Sequence, residues 1–192
     1  MLQLSAKTKV IFLVVILILL FGGFFYYWYW NRQKDVRELN KSLPEGINVV
    51  KNLDNEYIVK NTLDGYEFKI PTDWQGIEEI NYTPKQTELN YTASSLGIKG
   101  KNGNSIIMAI DQFENKDREL TLEDWAIENF NTFSLIGNFE PDEIDNINIV
   151  KTREEVHLLG MWVYFFKNND SVYAITNGSE EYIRYIISNG KW

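Results

Sequence analysis

Val10-Ile-Phe-Leu-Val-Val-Ile-Leu-Ile-Leu-Leu-Phe-Gly-Gly-Phe-Phe-Tyr-Tyr-Trp-Tyr-Trp30 is a run without one charged side chain. At about 1.5 Å per helical residue it matches the roughly 30 Å hydrocarbon core of a bilayer. A single pass through lipid has to be a helix, because only a helix satisfies its own backbone amides there. The run ends in five consecutive aromatics, Tyr26, Tyr27, Trp28, Tyr29 and Trp30. Such amphipathic rings settle at the headgroup level, so these five are the expected membrane-interface residues. A cleaved leader fits less well. The apolar part is too long, and Trp28 and Trp30 stand where a small-x-small site would be needed. A pilin-type segment would need an acidic residue inside the run, and there is none.

The organisation expected from this is a short cytoplasmic tail (1–9), a transmembrane helix (10–30), a stalk and linker (31–46) and a soluble domain (47–192). Lys7 and Lys9 precede the span, and Arg32, Lys34 and Arg37 come after it, so the positive-inside count is nearly tied. Long C-terminal domains cross largely regardless of charge, which favours a cell-membrane protein with its domain extracytoplasmic.

The first 30 residues hold Lys7 and Lys9 and no acid. Of 19 basic and 27 acidic residues, 17 and 27 therefore lie beyond them, a net charge of −10. Binding nucleic acid needs a basic face, so no nucleic-acid partner is expected. The same charge keeps the domain off anionic lipid and points to the anchor as its membrane contact. The full chain is 44% hydrophobic and 15% aromatic, and the part beyond the run is expected to fold around a core. The chain has no cysteine, which excludes disulfides, thiol nucleophiles and Cys-based zinc sites.

Val36, Leu39 and Leu43 lie at helical spacing after the span, and Pro44 and Gly46 end that segment, with a linker near 42–46. Tyr57 to Val59 and Tyr66 to Ile70 flank Asp64-Gly65, a hairpin signal. Leu96 to Lys99 and Ser105 to Phe113 flank Asn102-Gly103 in the same way. Ile106 to Ile110 is apolar on both faces and reads as a strand covered on both sides. Leu122, Trp125, Ala126, Phe130 and Phe133 form one helical stripe behind the cap Thr121. Gly137 and Pro141 then break the chain. Ile147–Lys151, Glu155–Phe166 and Ser171–Thr176 read as a meander, with Lys167 to Asp170 as its last turn. Ser179 caps a closing helix, Glu180–Ser188. The fold class is α+β, a curved antiparallel sheet with helices packed on its faces.

Gly65-Tyr66-Glu67-Phe68-Lys69-Ile70-Pro71-Thr72-Asp73-Trp74 resembles the opening of PsbP-like domains. These begin with an aromatic-alternating strand, then Pro, then Trp. The later order is similar: a strand such as Ile106 to Phe113, a helix opening Thr121-Leu122-Glu123-Asp124-Trp125, a late hairpin, and a closing helix. The resemblance covers Ile47 to Trp192. It implies an antiparallel sheet between helices and a binding or assembly role rather than catalysis. The family includes an extrinsic photosystem II subunit, a nuclear-import factor and many exported bacterial proteins. The matched positions are those of the fold, so no functional residue carries over. Two features depart from that family, a membrane helix in place of the lipidated Cys or transit peptide and a short final helix, and both weigh against a photosynthetic role.

His157 is the only histidine, so a His-based metal cluster is impossible and any Ser-His-Asp triad would depend on it. No Gly-x-Ser-x-Gly elbow supplies a serine. Gly100-Lys101 lacks the Ser/Thr and the earlier Gly of a phosphate loop and reads as a hairpin tip. Acids cluster over 114–124 and 140–145 without an EF-hand pattern, which suits a solvated surface. No catalytic residue, metal or cofactor is expected. Tyr82 and Tyr91, in a Thr- and Asn-rich segment, are the candidates for a groove that takes a peptide or partner protein. The function expected is a membrane-anchored, non-enzymatic binding or assembly domain with an envelope protein as partner. The alternatives are a membrane-tethered hydrolase, or an accessory subunit using its helix, with Gly22-Gly23, as the interface.

Overall fold

The computed structural model describes residues 6–85, 93–111, 120–130, 138–153, 161–168 and 171–192. Helix α1 (Ala6–Arg32) contains the whole apolar run. Every large hydrophobic side chain from Ile11 to Trp30 is exposed, and by length and composition the helix can cross a membrane. Gln33 interrupts the helix, and α2 (Lys34–Asn40) continues beyond it. Val36 is buried at 3% exposure, and Leu39 and Leu43 pack against the same core. The segment expected as stalk and linker is thus built onto the domain.

Among the described residues the α+β class stands, with four helices and strands that pair antiparallel. The single curved sheet expected is a different matter: hydrogen bonding divides the strands into two sheets. The smaller has the order β1 (Ile47–Lys51), β2 (Tyr57–Asn61), β3 (Tyr66–Lys69), β11 (Gly190–Lys191). The larger has the order β4 (Ile77–Thr83), β5 (Ala93–Gly100), β6 (Ser105–Asp111), β10 (Ser171–Thr176), β9 (Trp162–Asn168), β8 (Ile147–Arg153), β7 (Glu140–Ile144). The division falls at Pro71, which cannot donate to a ladder. After it come a 3₁₀ turn (Thr72–Trp74) and two left-handed residues, Gln75 (φ 58°) and Gly76 (φ 117°). They swing the chain from the small sheet into the large one. A Cβ at Gly76 would stand 3.0 Å from the Tyr57 hydroxyl, so the turn needs glycine there for space as well as for φ.

The two hairpins read from Asp64-Gly65 and Asn102-Gly103 are both present, and Gly65 and Gly103 take φ of 80° and 86°. Thr121 caps α3 (Leu122–Phe130): its Oγ1 accepts from the Asp124 N–H at 3.1 Å and donates to the Asp124 carboxylate at 2.7 Å. Ser179 caps α4 (Glu180–Ser188) by accepting from the Tyr182 N–H at 3.3 Å.

Strands β9 and β10 explain why there are two cores. Alternation sends Tyr164, Phe166, Tyr173 and Ile175 to one face, where the small sheet and α4 cover them. Val163, Phe165, Val172 and Ala174 go to the other, under Trp125 and Ala126 of α3. Two expectations differ from the structure, and one strand was not expected. Ile107 is 44% exposed, so β6 is not covered on both sides there; the described part of α3 sits over β8 and β9, and Phe133 of its expected stripe lies outside the described residues. The acidic stretch from Glu140 is edge strand β7, where Pro141 is tolerated. After α4 the chain adds β11 to β3, and Trp192 packs on Tyr66, Phe68, Phe166 and Tyr173 with ring centroids 4.8–6.0 Å apart.

Candidate functional site

Strand β1 is an edge, and an open edge is a row of unpaired amides. Gln33, between α1 and α2, and Asn40, at the end of α2, close it, and Arg32, at the end of α1, holds the turn that follows. Asn40 Nδ2 donates to the Val49 carbonyl at 2.8 Å, and Asn40 Oδ1 accepts from the Val49 N–H at 2.7 Å. Gln33 Nε2 donates to the Lys51 carbonyl at 2.7 Å. The Arg32 guanidinium donates to the Asn52 carbonyl at 2.8 Å and also to that of Leu53. Gln33 and Asn40 are seven residues apart, two helical turns, so they face the same strand. The helix that leaves the apolar span therefore acts as a surrogate strand.

Next to this seam lies an open cavity of about 450 Å³ lined by Asn31, Arg32, Lys34, Asp35, Glu38 and Lys51. Two of its lining residues are joined through Tyr57: the Tyr57 hydroxyl donates to the Asp35 carboxylate and accepts from Lys51 Nζ at 3.1 Å. Burial pushes the Asp35 carboxyl up, but the Tyr57 hydroxyl and the Lys51 ammonium outweigh it and hold it below its ordinary value. Burial and that same carboxylate push the Tyr57 phenol well up, so it stays a donor at neutral pH. Three cations and two carboxylates thus line a cavity at the foot of the apolar helix.

The aromatic belt stands just ahead of it. Tyr26, Tyr27, Trp28, Tyr29 and Trp30 are 44–69% exposed, and Tyr26 stacks on Trp30 at 6.0 Å. The Arg32 guanidinium lies 4.9 Å from the Trp28 ring and that of Arg37 lies 3.7 Å from the Trp30 ring, both in cation–π range. Arg37 also donates to the Trp30 carbonyl at 2.7 Å.

Tyr82 lies on β4 in the join between the two sheets, beside the buried Asp64 of the small sheet. Asn61 Nδ2 donates to Asp64 at 2.8 Å and to the Tyr66 hydroxyl at 3.0 Å, and Asn61 Oδ1 accepts from the Asp64 N–H at 3.1 Å. Burial first, and then the Asp64 carboxylate, raise the Tyr82 phenol, as they do that of Tyr173. Tyr82 is half-buried and packs against the main core. Its hydroxyl faces a carboxylate already held by neighbours, an arrangement suited to joining sheets. Tyr91, the other candidate for the groove, and His157 lie outside the described residues.

Among the described residues no group of three or more His, Cys, Asp or Glu is placed to hold a metal ion. Sequence reasoning did not pick out Gln33, Asn40 or the Asp35–Tyr57 pair. Their one signal is the presence of short amides among charged residues in the segment after the span. No family model, curated protein or solved structure matches this chain.

Proposed function

We propose that the chain is a single-pass membrane protein whose PsbP-like domain faces the extracytoplasmic side and binds another envelope protein. It works by contact and not by turnover. The observation that carries this reading is the continuity of anchor and domain. From Ile11 to Trp30 helix α1 is apolar on all sides and exposed, while Gln33 and Asn40 just past its end complete the edge of β1 and Arg32 holds the turn that follows. A helix built into a domain in this way fixes where the domain stands. Holding it in a plane raises its effective concentration toward a partner in the same plane. The PsbP-like assignment rests on the Gly65 to Trp74 motif and on the sequence from β6 through α3 to the late hairpin and closing helix.

The test is crosslinking of the full-length protein in its own membrane, repeated with α1 replaced by a cleavable secretion leader. A discrete protein adduct that fades in the released form supports tethered binding. An adduct of equal yield from the released domain contradicts it.

A further inference from the structure

Leu53 is 74% exposed, the most exposed large apolar side chain of the soluble part among the described residues. It sits in the turn between β1 and β2, whose Asn52 and Leu53 carbonyls are both held by Arg32. The guanidinium that holds them lies 4.9 Å from the Trp28 ring. Helical side chains lean toward the N-terminus, so Arg32 reaches back along α1. The turn is thereby fixed at the level of the aromatic belt and not above it.

We propose that the β1–β2 turn is a second membrane contact, with Leu53 entering the boundary between headgroups and acyl chains beside Trp28. This rests on the reading of α1 as a membrane span. The occupant is a lipid surface, because Arg32 ties the turn that carries Leu53 to Trp28, on the helix read as crossing that surface. Recognition is by the apolar side chain. Asp54 comes next in the chain and is exposed, and Glu56 is paired to Lys69 at 2.9 Å, so the turn offers no cation to an anionic headgroup. With helix and turn both seated, the domain leans on the bilayer in one orientation instead of swivelling above it. This extends the membrane contact beyond the anchor.

The chain has no cysteine, so single thiols label uniquely. Full-length Leu53→Cys, Leu63→Cys and Leu19→Cys would each carry an environment-sensitive fluorophore in phosphatidylcholine nanodiscs containing spin-labelled lipid. Leu63 is also exposed, but it lies in the β2–β3 turn at the opposite end of the small sheet. Leu19 lies in the apolar run. Strong quenching at 19, quenching at 53 about twofold or more deeper than at 63, and a blue shift at 53 relative to 63 are expected. Quenching at 19 with equal values at 53 and 63 overturns the second contact and leaves the anchor intact. No quenching at 19 overturns the anchor and the inference together.

Discussion

Asn40 makes both hydrogen bonds to Val49 that a neighbouring strand would make, donating at 2.8 Å and accepting at 2.7 Å. One side-chain amide thereby satisfies a donor and an acceptor on the edge of a sheet. Asn40→Ala removes both partners at once, and Val36 beside it keeps the helix seated, so two part-buried backbone groups are left without their side-chain partner. The expected loss is about 1–3 kcal/mol in chemical denaturation monitored by circular dichroism. Asn40→Asp keeps only the acceptor and sets a carboxylate against a carbonyl, so it is expected to lose at least as much. A neutral Asn40→Ala would show that α2 docks through Val36, Leu39 and Leu43 alone.

Trp192 closes the core from the far end of the chain. Its indole N–H donates to the Ile187 carbonyl at 3.1 Å, and its ring meets four aromatic rings. Trp192→Ala is expected to cost about 2–4 kcal/mol, as for a large partly buried aromatic. Trp192→Phe recovers part of that. Loss of the β11 pairing should appear as faster amide exchange in β3, with α3 and its separate core unaffected.

Acid should loosen the junction. Asp35 lies below its ordinary value of 3.8 in the folded protein. A carboxyl depressed by folding contributes stability above its unfolded value, and that contribution is lost as pH falls through the folded one. Asp142 and Glu180 are lowered as well and act in the same direction between β7 and α4. Asp35 and its partners are partly exposed, so Asp35→Asn is expected to cost only about 0.5–1 kcal/mol at pH 7. The difference from the parent should begin to shrink as pH falls below 3.8 and vanish only below the depressed folded value. A difference that stays constant with pH would mean that the Asp35 charge contributes nothing.

Tyr82 separates two roles. In the seam beside Asp64, Tyr82→Phe is expected to cost about 1 kcal/mol and Tyr82→Ala more, with partner binding falling only as far as folding does. Loss of binding at full stability would instead place Tyr82 on the wall of a groove.

Local signals carried much of this fold into the sequence. Asp64-Gly65 and Asn102-Gly103 announce hairpins because their turns require left-handed residues. Thr121 and Ser179 announce helix starts because their hydroxyls replace missing backbone acceptors. Asp145-Asn146, with φ of 49° and 65°, carries the same turn chemistry, yet the acids and Pro141 around it hid β7. Strand β11 has two residues and no periodicity; only its pairing with Glu67 and Phe68 defines it. The closure of β1 by Gln33 and Asn40 is long-range bonding between side chain and backbone, which leaves no pattern in a polar segment. Tyr82 was visible as an aromatic among polar residues, but its partner Asp64 belongs to the other sheet.

The most direct test of the central claim is recovery of the full-length protein from sealed vesicles of known orientation after an alkaline carbonate wash and protease treatment. The protein is expected to float with the bilayers, and protease on the extracytoplasmic face to remove everything beyond Asn31, leaving a protected fragment containing Val10–Trp30. Full-length chain released by carbonate, or the apolar run cut while the vesicles stay sealed, would contradict the claim.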